Sequence, residues 1–160
     1  MSTNKIFLYK IINNNVCEIT LNNPSKRNPL SLELIVSLQA LLNNLKKNKT
    51  IKVILLKSTG PSFCSGHDLK EVQSFSSSKT KLLNLFKKCS KMMMTIREMP
   101  QPVIACVDGI AAAAGCQLVA SCDLVIATKK STFQTPGVNI GLFCSTPMVA
   151  ISRKVSPKDM

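Results

Sequence analysis

Histidine occurs once in this chain, as His67 in the stretch Ser65-Gly66-His67-Asp68, and an imidazole placed in a loop is a natural proton-transfer group. Gly66 beside it lets a backbone approach a ligand closely. A second stretch, D-G-I-A-A-A-A-G-C-Q at Asp108 to Gln117, carries only small side chains over its turn. Both stretches follow apolar runs and lead toward helices, whose first backbone N–H groups lack partners and point at whatever lies in the crevice. Each is a candidate ligand loop. Each also has an ordinary explanation: a glycine turn, an alanine-rich helix start, a packed or surface histidine.

The surrounding elements must hold these loops in place. Ile6 to Ile12 and Val16 to Leu21 are rich in β-branched residues and flank Asn13-Asn14-Asn15, which predicts a hairpin. Leu34, Leu38, Leu41, Leu42 and Leu45 recur at helical steps after Ser31, with Lys46, Lys47 and Lys49 where a helix dipole favours cations. Ile51 to Lys57 reads as a buried strand and Ser58 to His67 as a loop with Gly60-Pro61 and Gly66. A helix is expected from Thr80 to Glu98, its Met92 to Met94 filling the core. Val103 to Val107, a helix from Ala113 to Ser121, and Asp123 to Ala127 then alternate as strand, helix and strand. The class is α/β with a parallel sheet, in one unit spanning residues 1–160.

Composition narrows the partners. With 21 Lys+Arg against 8 Asp+Glu, the net charge of +13 points to an anionic partner such as a phosphorylated cofactor, a nucleic acid or a membrane surface. The chain has no Trp and a single Tyr, so nucleic acid is disfavoured for want of stacking platforms. Val103 to Ala127 is apolar but is interrupted by Asp108, Gln117 and Asp123, which fits a buried strand-helix-strand unit and no membrane span. The seven cysteines are odd in number and form no C-x-x-C pair, so they read as free thiols in a reducing compartment. With one histidine and no cysteine cluster, no metal site is expected. Met1 to Lys10 has neither an apolar h-region nor an Arg-rich amphipathic pattern, which predicts an internal location.

Taken in order, P-S-K-R-N-P-L-S at Pro24 to Ser31, F-C-S-G-H-D-L-K-E at Phe63 to Glu71, P-V-I-A-C-V-D-G-I-A-A-A-A-G-C-Q-L at Pro102 to Leu118, C-D-L-V-I-A at Cys122 to Ala127 and P-G-V-N-I-G-L at Pro136 to Leu142 resemble the enoyl-CoA hydratase/isomerase (crotonase) superfamily. The resemblance implies a spiral of ββα units that binds a coenzyme A thioester as substrate or ligand, with no prosthetic group. It implies an oxyanion hole made by the amides of His67 and Ala114. Lys26, Arg27 and Lys70, with Ser65 and Gly66, fall where family members bind coenzyme A, although the three cations are equally compatible with a solvated surface. Acyl-CoA metabolism in a bacterial cytoplasm or a mitochondrial matrix follows as the expected setting.

Two departures from the pattern bear on chemistry. The positions of the family's two hydratase glutamates are Gln117 and Gly137 here, and neither residue can titrate near neutral pH. General acid–base help, worth about 10²–10⁴ per group, has no evident source, so efficient hydration is not expected. Three readings stay open: another enolate reaction such as decarboxylation, or slow thioester hydrolysis; a non-catalytic acyl-CoA-binding or assembly role; and genuine hydration. His67 matches a histidine of the superfamily's methylmalonyl-CoA decarboxylase. Asp68 is expected to tie down its own loop, and Cys144 and Ser145 follow a segment where some members carry a catalytic carboxylate. Family members also continue into C-terminal helices that cover the acyl pocket and build trimers, a part this core is expected to lack.

Overall fold

The computed structural model describes residues 6–156 and 158. It opens with β1 (Phe7–Ile12) and β2 (Val16–Leu21), an antiparallel hairpin. Asn13 and Asn14 adopt positive φ, and the Asn15 amide donates to the Ile12 carbonyl at 3.2 Å. Asparagine tolerates that left-handed backbone better than other side-chain-bearing residues, so the tripeptide turns the chain as expected.

Helix α1 (Leu32–Lys47) starts where the Ser31 hydroxyl accepts from the Leu34 amide, and it buries Leu34, Ile35, Leu38, Leu42 and Leu45 on one face. Next come β3 (Val53–Ser58), β4 (Ser62–Cys64), α2 (Leu69–Ser74) and α3 (Lys79–Arg97). Then follow β5 (Val103–Val107), β6 (Ile110–Ala112), α4 (Ala114–Ser121), β7 (Leu124–Ala127), β8 (Thr132–Gln134) and α5 (Ser145–Ile151).

The strands form two sheets. One has the order β1-β2-β3-β5-β7 and is parallel beyond the hairpin; the other has the order β4-β6-β8 and is parallel throughout. After the hairpin and α1, each turn of the chain adds one strand to the first sheet, one to the second, and then helix, which is the ββα spiral of the crotonase fold. Outside these strands, Leu30 and His67 form a single isolated parallel bridge. The core lies between the larger sheet and helices α1 and α3, with Phe63, Ile54, Leu56, Leu85 and Met92 fully enclosed.

Several segments differ from the sequence-based expectation. β4 lies within the predicted loop from Ser58 to His67, and β6 within the turn after Asp108. Strands of three residues are too short to show a period, and their Gly and Pro neighbours read as turns. Of the methionine triplet, Met92 and Met93 enter the core while Met94 is exposed. Among the described residues, no helix is long and apolar enough to cross a membrane.

Candidate active site

Two glycines and a clamp of polar contacts bring the ligand loops together. Buried Asn28 donates from Nδ2 to the carbonyls of Thr59 and Ser62, each at 2.8 Å, while its Oδ1 accepts from the Asn23 amide at 2.7 Å. This pins the Pro24–Asn28 turn beside the end of β3. The Ser65 amide then donates to the Arg27 carbonyl at 3.1 Å, and the Leu30 amide to the Gly66 carbonyl at 2.7 Å. Asn28 was not singled out from the sequence; an Asn-Pro pair between two elements is the signal that marks it as a turn.

Gly66 has φ +93°, and a Cβ there would lie 3.1 Å from the Ala112 carbonyl oxygen and 3.3 Å from the Ala114 nitrogen. The loop carrying His67 therefore rests directly on the start of α4. Gly115 completes the contact from the other side, since a Cβ on it would meet the Cys64 carbonyl oxygen at 2.2 Å. Between them Ala113 adopts φ 49° and ψ −120°, a sparsely populated conformation for a side-chain-bearing residue, and no side chain caps α4. Strain of this kind persists where packing over-determines it and clusters at ligand sites. Among the described residues neither the His67 nor the Ala114 amide donates to another protein group. The bridge to Leu30 uses the Gly66 carbonyl and leaves the His67 N–H unused.

His67, Ala113, Ala114 and Gln117 line one cavity of about 290 Å³, closed by Phe86 and by the segment from Leu142 to Pro147. The His67 ring meets Phe86 edge to face at 5.1 Å, and its Nδ1 is buried without a hydrogen bond of good geometry. Burial pushes its pKa below the ordinary 6.5, with the Leu30 backbone opposing that shift, so the ring is neutral at pH 7. Gln117 is 9% exposed, and its carboxamide has no hydrogen-bond partner among the described residues. Cys89 also lines the cavity, but burial raises its thiol to about 12, far from reactive. Among the described residues no carboxylate lines this space.

Gly137 lies in a short 3-10 turn, Pro136–Ile140, just outside the cavity wall. A Cβ there would fall 2.6 Å from both the Cys144 sulfur and the Leu142 carbonyl oxygen. The space that a larger side chain would need is occupied by the half-buried Cys144, which does line the cavity. Asp68 caps α2, accepting from the Lys70 amide at 3.0 Å and the Glu71 amide at 3.3 Å, as expected for a residue that secures its own loop. Glu71 in turn accepts from the Leu32 amide at 2.8 Å, which ties α2 to the start of α1. Exposed Lys26 and Arg27 stand on the turn bonded to Ser65, and exposed Lys70 two residues beyond Asp68, so the three cations flank the loop rather than the cavity.

Comparisons with known proteins agree with this architecture. The enoyl-CoA hydratase/isomerase family model matches residues 11–159. Enoyl-CoA hydratase domain-containing protein 3, mitochondrial, of Danio rerio is 54% identical over 140 residues, covering 88% of this chain and 48% of that protein. The human protein of the same name is likewise 54% identical over 140 residues, with 88% and 46% covered. The crystal structure of that human protein superposes with a TM-score of 0.90 at 48% identity, over 97% of this chain and 60% of the other. That of an enoyl-CoA hydratase from Mycobacterium smegmatis gives 0.93 at 42% identity, with the same coverage. The chain spans about half the length of the curated relatives it matches.

Proposed function

Because the chain belongs to the enoyl-CoA hydratase/isomerase family, we propose that it binds an acyl-CoA thioester and polarises its carbonyl between the amides of His67 and Ala114. The observation that carries this reading is the stacking of Gly66 on Ala112 to Ala114, which sets two unpartnered N–H groups beside one cavity. Donors held in advance in a water-poor site gain most as negative charge develops on the oxygen, and each is worth about 10²–10³ in rate where an enolate or tetrahedral intermediate forms. Lys26, Arg27 and Lys70, with Ser65 and Gly66, hold the phosphates and adenine of coenzyme A on the outer side of the loop. No prosthetic group is needed.

The same site is not equipped to hydrate an enoyl thioester efficiently. Gln117 can accept and donate hydrogen bonds but cannot carry a proton between water and substrate. At Gly137 the Cys144 sulfur takes the volume in which a second carboxylate would have to sit. Polarisation without those two proton-transfer groups serves either an enolate reaction that needs no base or the holding of an acyl-CoA without turnover. The free thiols and the mitochondrial relatives favour a mitochondrial setting.

Two measurements test this. A saturating short acyl-CoA should raise the unfolding midpoint, since a ligand at 100 times its Kd stabilises the native state by about 2.7 kcal/mol. A ¹³C-labelled thioester carbonyl should shift to lower vibrational frequency on binding, and Gly66→Ala should abolish the shift. An unmoved midpoint, or rapid loss of crotonyl-CoA absorbance by the unaltered chain, would contradict the proposal.

A further inference from the structure

A second cavity of about 440 Å³ lies between α3, α4 and α5 and shares Ser90, Gln117, Ser145 and Thr146 with the first, so the two adjoin at Gln117. Its walls differ from those of the first in charge. Arg97, Arg153 and Lys154 line it, and among the described residues no carboxylate does. The ion pairs among the described residues involve Lys10, Lys46, Lys57 and Lys130, and none of these three. Glu98, next in sequence to Arg97, is turned instead toward Lys46 at 3.9 Å. Asp123, on the loop after α4, accepts from the Val103 amide at 2.8 Å and shares a separate pocket with Lys154, which leaves Arg97 and Arg153 as the cations of this cavity without a carboxylate beside them among the described residues.

From this we infer that the acyl group accepted here ends in a carboxylate, held in the cation-lined cavity beyond Gln117: the substrate class is a CoA thioester of a dicarboxylic acid. The inference rests on the thioester carbonyl lying at His67 and Ala114, since an acyl chain entering from there passes Gln117 and reaches the arginines. A methyl-ended chain would displace water from the Gln117 carboxamide and the guanidinium groups and return no hydrogen bond. A terminal carboxylate satisfies both, and the planar fork of arginine fits a carboxylate with two parallel bonds.

The test is calorimetric titration of the full chain with free coenzyme A and with pairs of thioesters of equal length: succinyl- against butyryl-CoA, glutaryl- against pentanoyl-CoA, adipyl- against hexanoyl-CoA. For at least one pair the carboxylate-ended thioester should bind about tenfold or more tightly, the scale of a charge-assisted hydrogen bond. In the double variant Arg97→Gln, Arg153→Gln, whose altered side chains are exposed and whose fold is checked by circular dichroism, that preference should vanish while the methyl-ended thioesters bind as before. Equal binding within every pair would overturn the proposal. So would a double variant that weakens free coenzyme A as much as the carboxylate-ended thioester, because the cations would then be serving its phosphates. If no thioester binds at all, the reading of the His67 and Ala114 site fails first and this inference with it.

Discussion

Strands β5 and β7 lie side by side, with Ile104 opposite Leu124 and Cys106 opposite Ile126, and both are almost wholly apolar. Their environments are opposite. β5 alternates between buried and half-buried positions, whereas every residue of β7 is exposed. β5 sits between two strands, under the helices of the core, while β7 is an edge strand with a single neighbour. Nearby Phe133, Leu142 and Phe143 are exposed as well. Apolar, β-branched composition therefore decided that both segments are strands, and only the surrounding layers decided which one contributes burial energy. The candidate site meets a similar boundary, with the buried start of α4 on one side and the segment that closes it, bearing exposed Leu142 and Phe143, on the other.

Substitutions on either side of the boundary should separate cleanly in denaturant unfolding. Leu56 on β3 is 2% exposed, and Leu56→Ala should cost about 2–5 kcal/mol through lost burial and the cavity left behind. Gly115→Ala pushes a methyl group into the Cys64 carbonyl and should cost about 1–3 kcal/mol. It should also remove the acyl-CoA-induced rise in the unfolding midpoint, because α4 must move away from the His67 loop. Retention of that rise would show that the contact between the loops is dispensable.

A smaller effect is expected from pH. His67 has a folded-state pKa held below 6.5 by burial, so the unfolded chain binds the proton more readily. Its contribution to stability is then complete above pH 6.5 and is lost as pH falls toward and through the folded value. His67→Gln should flatten that part of the pH profile of the unfolding midpoint; an unchanged profile would place the titration elsewhere. The smallest effect belongs to β7. Ile126 is 64% exposed, and Ile126→Thr should change stability by less than about 0.5 kcal/mol. A cost near that of Leu56→Ala would mean that β7 is covered in solution, and the contrast between the two strands would collapse.

Long elements with a clear period were legible in the sequence. The hairpin bounds at Ile12 and Val16, the leucine face of α1 and the α3 helix ending just before Pro100 follow from local patterns that survive in the folded chain. The Asp68 cap was legible for the same reason, since its partners lie two and three residues away. The second sheet was not, because β4, β6 and β8 exist only through pairing with one another across some 50 and 20 residues of chain. Nor could spacing reveal that Asn28 clamps Thr59 and Ser62, or that the Cys144 sulfur fills the space beside Gly137.

By itself the sequence determined the residue chemistry available to this protein: one histidine, a glutamine at position 117 and a glycine at position 137, abundant cations, and the order of loops that marks the family. These are properties of residue type and short-range spacing, which folding does not alter. The tertiary structure decided which of them meet. It set Gly66 on Ala113, opened the cavities on either side of Gln117, gathered Arg97, Arg153 and Lys154 along one of them, and left β7 uncovered. Each of those outcomes depends on contacts between segments far apart in the chain, where packing and excluded volume rather than local preference select the arrangement.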